Sequence, residues 1–146
     1  MTHAPGDERV DEDPILGDDR QRAVVVFPRE VDSIAGARRW LTAFLDGAGS
    51  RSEPIEDAVL VVSELVTNAL RHGSEGRRID LAVTPKAEFL CVQVTDDWPG
   101  LAPRPRALET EDDGGFGLFF VEQLTRRWGV TRETRRTRVW FELDYR

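Results

Sequence analysis

A chain of 146 residues, 40% hydrophobic and 32% charged, is long enough to bury one core and contains no apolar run able to span a bilayer, so a single soluble domain without a membrane partner is expected. A net charge of −7 opposes unspecific attraction to nucleic-acid phosphate, and a single cysteine, Cys91, excludes an internal disulfide framework. The N-terminal sequence shows no signal-peptide pattern, which makes a cytoplasmic location the expectation.

Residues 1–20 hold seven acidic side chains against Arg9 and Arg20, mixed with Pro and Gly. They are expected to form a disordered, solvating tail ahead of one domain over residues 21–146. A strand is expected over 23–27 and a helix over 32–45, where Ile34, Ala37, Leu41, Phe44 and Leu45 fall on one face. A second helix starts near Ser52, a capping residue, with Pro54 in the first turn, where its missing N–H costs nothing. Ile55, Ala58, Val59, Val62, Leu65, Val66 and Ala69 then recur at helical spacing until Gly73 ends the run.

Glu64 and Asn68 are four residues apart in that helix and so share a face, nearly opposite the apolar stripe yet bordered by Leu60 and Val61. That face is therefore not expected to be plain solvated surface. Asn68 can offer an amide oxygen to a hard cation such as Mg²⁺, and Glu64 can accept a proton from an attacking hydroxyl or water. Taken alone, a polar helix face carrying Glu and Asn by chance is the commoner explanation. His72, at the end of the helix, suits a dipole partner better than a ligand.

Strands are expected over 79–84 and 89–95, the second with Leu90, Val92 and Val94 on one side and Cys91, Gln93 and Thr95 on the other. In such a strand Cys91 reads as core filler rather than nucleophile. The strand runs into Asp96-Asp97-Trp98-Pro99-Gly100, where a carboxylate before a Pro-Gly turn can accept a hydrogen bond from an exocyclic amine such as that of adenine. A lid-like stretch over 101–113 follows, rich in Pro and acid, and then Gly114-Gly115-Phe116-Gly117-Leu118 opens a helix with Leu118, Phe120, Val121 and Leu124 as its apolar set. Glycines at a helix start let backbone N–H groups close on phosphate oxygens. Two strands, over 130–133 and 139–143, end the chain. Arg126, Arg127, Arg132, Arg135, Arg136 and Arg138 cluster there among Trp128 and Trp140, a pattern that fits a solvated hairpin or an acidic protein partner better than nucleic acid. Strands in one group with helices on their single apolar face make an α+β, two-layer α/β sandwich.

The order and spacing of residues 64–73, 96–100 and 115–118 are more specific than any one block. They resemble the N, G1 and G2 boxes of the GHKL ATPase/kinase superfamily, whose Bergerat fold has a mixed, mostly antiparallel sheet. The wording Thr67-Asn68-Ala69-Leu70-Arg71-His72-Gly73 and the ending Arg127-Trp128-Gly129-Val130 are most similar to anti-sigma-factor serine kinases of Gram-positive bacteria. The resemblance implies ATP and Mg²⁺ as cofactors, Glu64 as catalytic base, Asn68 as Mg²⁺ ligand and Asp96 as reader of the adenine amino group. It places Trp98 and Gly100 at the base, and Gly115, Gly117 and the backbone of Leu118 around the phosphates. As partners it implies an anti-anti-sigma (antagonist) protein, a sigma factor and a homodimer. Two positions depart from the pattern: Trp98 stands where Gly is usual, and Arg136-Thr137-Arg138 replaces a Gly-Lys-Thr-like segment. Two alternatives stay open, a module that uses ATP only to order its lid and capture a partner, and a nucleic-acid binder acting through the Arg cluster.

Overall fold

Alternation in the strands and 3.6-residue periodicity in the helices are realised in the computed structural model, which describes residues 21–72, 78–97, 116–132 and 136–144. In chain order the elements are β1 (Ala23–Pro28), α1 (Asp32–Gly47), α2 (Ser52–His72), β2 (Arg78–Pro85), β3 (Leu90–Asp97), α3 (Phe116–Leu124), β4 (Arg127–Arg132) and β5 (Arg136–Leu143). The strands form one sheet in the order β1-β2-β3-β5-β4, and all four pairings are antiparallel rather than mixed. The expected tail over 1–20, the lid over 101–113, Trp98, Gly100 and Gly115 lie outside the described residues.

Register explains which side chains reach the core. Leu81, Val94, Val139 and Val130 lie side by side across β2, β3, β5 and β4, and Val83, Val92, Phe141 and Trp128 form the next row. These rows share one core with Ala37, Leu41 and Leu45 of α1, with Ala58, Val61, Val62, Leu65, Val66 and Ala69 of α2, and with Val121 of α3. Burial of a side chain such as Leu41 or Phe141 contributes about 1.5–3 kcal/mol. The α2 helix touches α1, α3, β3 and β5, so its buried arc is wider than one apolar stripe and takes in Val61, expected at the border of the polar face.

The opposite face of the sheet is buried over much of its area as well. Ala82, Thr84, Cys91, Gln93, Thr95, Trp140 and Glu142 point away from the helix-side rows and are buried, while Val24 and Val26 of the edge strand are half-exposed. Complete burial of Cys91 agrees with a packing role.

Helix ends follow local chemistry. At the start of α1 no side chain caps the helix from Val31; the Ser33 hydroxyl instead donates to the Pro28 carbonyl at 2.6 Å, tying the first turn to the end of β1. At its end the Ser50 N–H reaches the Leu45 carbonyl and the Gly49 N–H the Asp46 carbonyl, with Gly49 at φ 84°. This is a Schellman closure, and it needs glycine at the left-handed position. Ser52, expected as a cap, is the first residue of α2, and α3 begins at Phe116, two residues before Leu118.

Two glycines of α1 give predictions of opposite sign. A Cβ on Gly36 would lie 2.9 Å from the Phe27 ring, whereas one on Gly47 would meet nothing within 4 Å. Gly36→Ala should therefore lose about 1–2 kcal/mol from overpacking despite its better helix propensity. Gly47→Ala should gain roughly 0.5–1 kcal/mol, and thermal melts of the two variants should move in opposite directions by a few degrees. A stabilised Gly36→Ala protein would mean that α1 does not ride this closely on β1.

Candidate functional site

Strand register defines the end of the sheet at which β3 stops. Ile79 pairs with Asp96, and Asp96 with Thr137, so the last helix-side row before β3 ends is Phe27, Ile79, Asp96 and Thr137. The α2 helix ends at His72, and only five residues separate it from Arg78, which lies beside this row, so the C-terminal turns of α2 are held near the same end. The α3 helix, with Gly117 and Leu118 in its first turn, packs on α2 and finishes next to Arg127, which pairs with Glu142.

On α2 the polar side chains fall into two groups. Ser63 donates to the Val59 carbonyl and Thr67 to the Ser63 carbonyl, each at 2.7 Å, so these hydroxyls are satisfied by their own helix. Asn68 is not. It is 6% exposed, and its Nδ2 is buried without a hydrogen-bond partner. Such a group costs about 1–3 kcal/mol unless something completes it. Glu64, one turn earlier, is half-buried rather than enclosed, so a substrate hydroxyl could reach it.

Among the described residues no three His, Cys, Asp or Glu side chains cluster as metal ligands. Mg²⁺ brought in on a polyphosphate is usually held by one or two protein oxygens together with phosphates and water. Asn68 can supply one such oxygen, while its unpartnered Nδ2 is a donor suited to a phosphate or water oxygen beside the ion.

Asp96 is buried and is paired with Arg29, whose Nη2 donates to Oδ1. Arg29 directly follows β1, two strands away, so its side chain reaches across the end of β2. Thr137 presents a buried hydroxyl-bearing side chain in the register position opposite Asp96. Neither residue was expected at the site. Arg29 is 67 positions from Asp96 with no local signal, and the departure at Arg136-Thr137-Arg138 drew notice to the arginines, although pairing puts the threonine on the site side.

Three arginines of the C-terminal cluster pair with acidic side chains of the fold. Arg126 pairs with Asp144 at 2.9 Å and approaches Glu142, Arg127 approaches Glu142 at 3.8 Å and lies over the Trp140 ring, and Arg136 reaches Asp80 at 3.5 Å. A cavity of about 360 Å³ lies at the end of the sheet away from Asp96, between Arg51, Asp57, Gln123 and Asp144. No helix among the described residues is long and apolar enough to cross a membrane.

Residues 27–143 match the model of the histidine kinase-like ATPase domain. The chain belongs to that family. Among curated relatives of this ATPase-domain chain, serine-protein kinase RsbW of Staphylococcus aureus strains bovine RF122 / ET3-1 and MRSA252 is 25% identical over 122 residues, covering 73% of this chain and 77% of the relative. Among solved structures, that of the RsbU and RsbW domains of Rv1364c from Mycobacterium tuberculosis superposes with a TM-score of 0.63 at 19% identity. It covers 85% of this chain, which spans about a third of that longer one, at 32%. The GHKL-type α+β fold is thereby shown on sequence and on structure.

The acidic first turns of α2 carry a pH-dependent feature. Burial first, and then the charges of Glu53 and Glu56, raise the Asp57 carboxyl above its ordinary value of 3.8. A carboxyl that binds its proton more tightly when folded adds stability below the unfolded value and loses it as pH rises through the folded one. Asp57→Asn should therefore raise the melting temperature slightly at pH 7, with the gain vanishing near pH 3. Equal differences at both pH values would remove this account of Asp57.

Proposed function

We propose that the protein binds ATP with Mg²⁺ and is a serine/threonine kinase that phosphorylates a small anti-anti-sigma protein and, in its other complex, sequesters a sigma factor. The observation that carries this reading is the buried Asn68, whose Nδ2 lacks a hydrogen-bond partner, one turn after Glu64. The family match and the relatives named serine-protein kinase support it. A cytoplasmic location and a homodimer belong to the same reading.

In this mechanism Asp96 accepts a hydrogen bond from the adenine amine, with Trp98 and Gly100 bordering the base. Backbone N–H groups at Gly115, Gly117 and Leu118 close on phosphate oxygens, helped by the helix dipole. The Asn68 amide oxygen would hold Mg²⁺, which would supply charge neutralisation at the phosphates. Glu64 takes the proton from a partner's serine hydroxyl. That oxygen bonds to the γ-phosphorus as the bond to the bridging oxygen breaks, leaving ADP.

The departure at Arg136 to Arg138 favours a second reading, in which ATP orders the lid and a partner is captured without transfer. The internal ion pairs of Arg126, Arg127 and Arg136 speak against a nucleic-acid surface.

Glu64→Ala should keep ATP binding and lose roughly two to four orders of magnitude in single-turnover transfer to the antagonist protein. Asn68→Ala should also lose Mg²⁺-dependent binding. If the native protein binds ATP and its partner yet never labels that partner, the capture module is the better reading. For the base, Asp96→Asn should weaken ATP by about 1.5–3 kcal/mol in calorimetry, and GTP should bind the native protein poorly. Equal affinity for ATP and GTP would remove Asp96 from base recognition.

A further inference from the structure

The Arg29–Asp96 pair is incomplete as a structural ion pair. Both side chains are almost fully enclosed, at 4% and 8% exposure. A guanidinium carries five N–H donors and stays charged, yet only Nη2 meets the carboxylate; Nε and Nη1 are buried with no hydrogen-bond partner. Buried polar groups in folded proteins are nearly always satisfied, and an arginine buried for stability alone would turn both prongs of its fork onto the carboxylate. Two orphaned donors beside Asp96 call for acceptors supplied by a ligand.

A purine with an exocyclic amine has that pattern. The 6-amino group of adenine donates, and the ring nitrogens on either side of it, N1 and N7, accept. Guanine carries a carbonyl oxygen at position 6, which the Asp96 carboxylate repels. A carboxylate offers two oxygens and about four lone-pair sites, so an arginine on Oδ1 is compatible with an amine on the same group.

We infer that Arg29 is a specificity-determining residue for the nucleotide base: it positions the Asp96 carboxylate and donates a hydrogen bond to a purine ring nitrogen next to the amine. The inference rests on the reading of Asp96 given above and assigns a further residue to it. Arg29 has a second consequence for that site. Without it, Asp96 is a buried charge with its nearest cation removed, and its capacity to accept from the amine falls.

The test is calorimetric titration of the full chain, with Mg²⁺, against ATP, GTP, 1-deaza-ATP and 7-deaza-ATP, for the native protein, Arg29→Ala, Arg29→Lys and Asp96→Asn. The native protein should bind one deaza analogue about tenfold or more weaker than ATP, and Arg29→Ala should bind ATP about ten- to a hundredfold weaker while no longer distinguishing it from that analogue. Arg29→Lys keeps a cation on Asp96 without the fork, so it should recover part of the ATP affinity. If Arg29→Ala does not fold, the native analogue series and Arg29→Lys decide the matter. Native affinity equal for ATP and both analogues overturns the inference, as does an Arg29→Ala protein that binds ATP as tightly as native or tighter, which would make the pair a scaffold or a latch. Weakened ATP binding in Asp96→Asn with an indifferent Arg29→Ala overturns the role of Arg29 alone; unchanged ATP binding in Asp96→Asn overturns the reading of Asp96 and this inference with it.

Discussion

A carboxylate stays buried at the end of β3 because a guanidinium is buried with it. Taking an unpaired charge out of water costs several kcal/mol, and at 6% exposure Asp96 has the Arg29 guanidinium against it to offset that cost. The pair constrains much else. Arg29 must leave β1 where Pro28 ends it, α1 must start close enough for Ser33 to bond back to Pro28, and Gly36 must lack a side chain so that the helix can lie on Phe27. The same row sets Thr137 of β5 opposite Asp96, so one antiparallel register row runs from Phe27 to Thr137 across the sheet.

The α2 helix joins core and site. Its 21 residues span about 30 Å, and it touches both other helices and the central strands. Ala58, Val61, Val62, Leu65 and Val66 anchor it, which fixes the rotation of the helix and hence where residue 68 points. Ser63 and Thr67 bond to their own helix, whereas the Asn68 Nδ2 has no partner. Rigid packing on one side and an unsatisfied amide on the other is the arrangement expected of a residue held ready for a ligand.

Charge is organised by compensation. A net charge of −7 coexists with a C-terminal hairpin rich in arginine, and the hairpin's arginines find Asp80, Glu142 and Asp144. Glu142 is buried between Arg126 and Arg127, so removing it would leave two cations facing each other. This role is structural, and it leaves the hairpin with less free charge than its composition suggests.

Residue order alone determined the helices and strands, since hydrophobic period is local: the alternation from Leu90 to Thr95 and the repeats along α2 were legible before any fold was known, and the spacing of Glu64, Asn68, Asp96 and the glycines at 115 and 117 carried the resemblance to an ATPase family. Burial was less legible. Asn68 lies opposite the apolar stripe on a helical wheel yet is buried, because α2 is covered on more than one side, and Glu64 is more open than its bordering valine suggested. Strand order, the arginines' partners and the burial of the sheet's second face have no local signature at all. Arg29 and Thr137 belong to this last class: what makes them neighbours of Asp96 is the antiparallel pairing of strands distant in sequence, and only the tertiary structure decides that pairing.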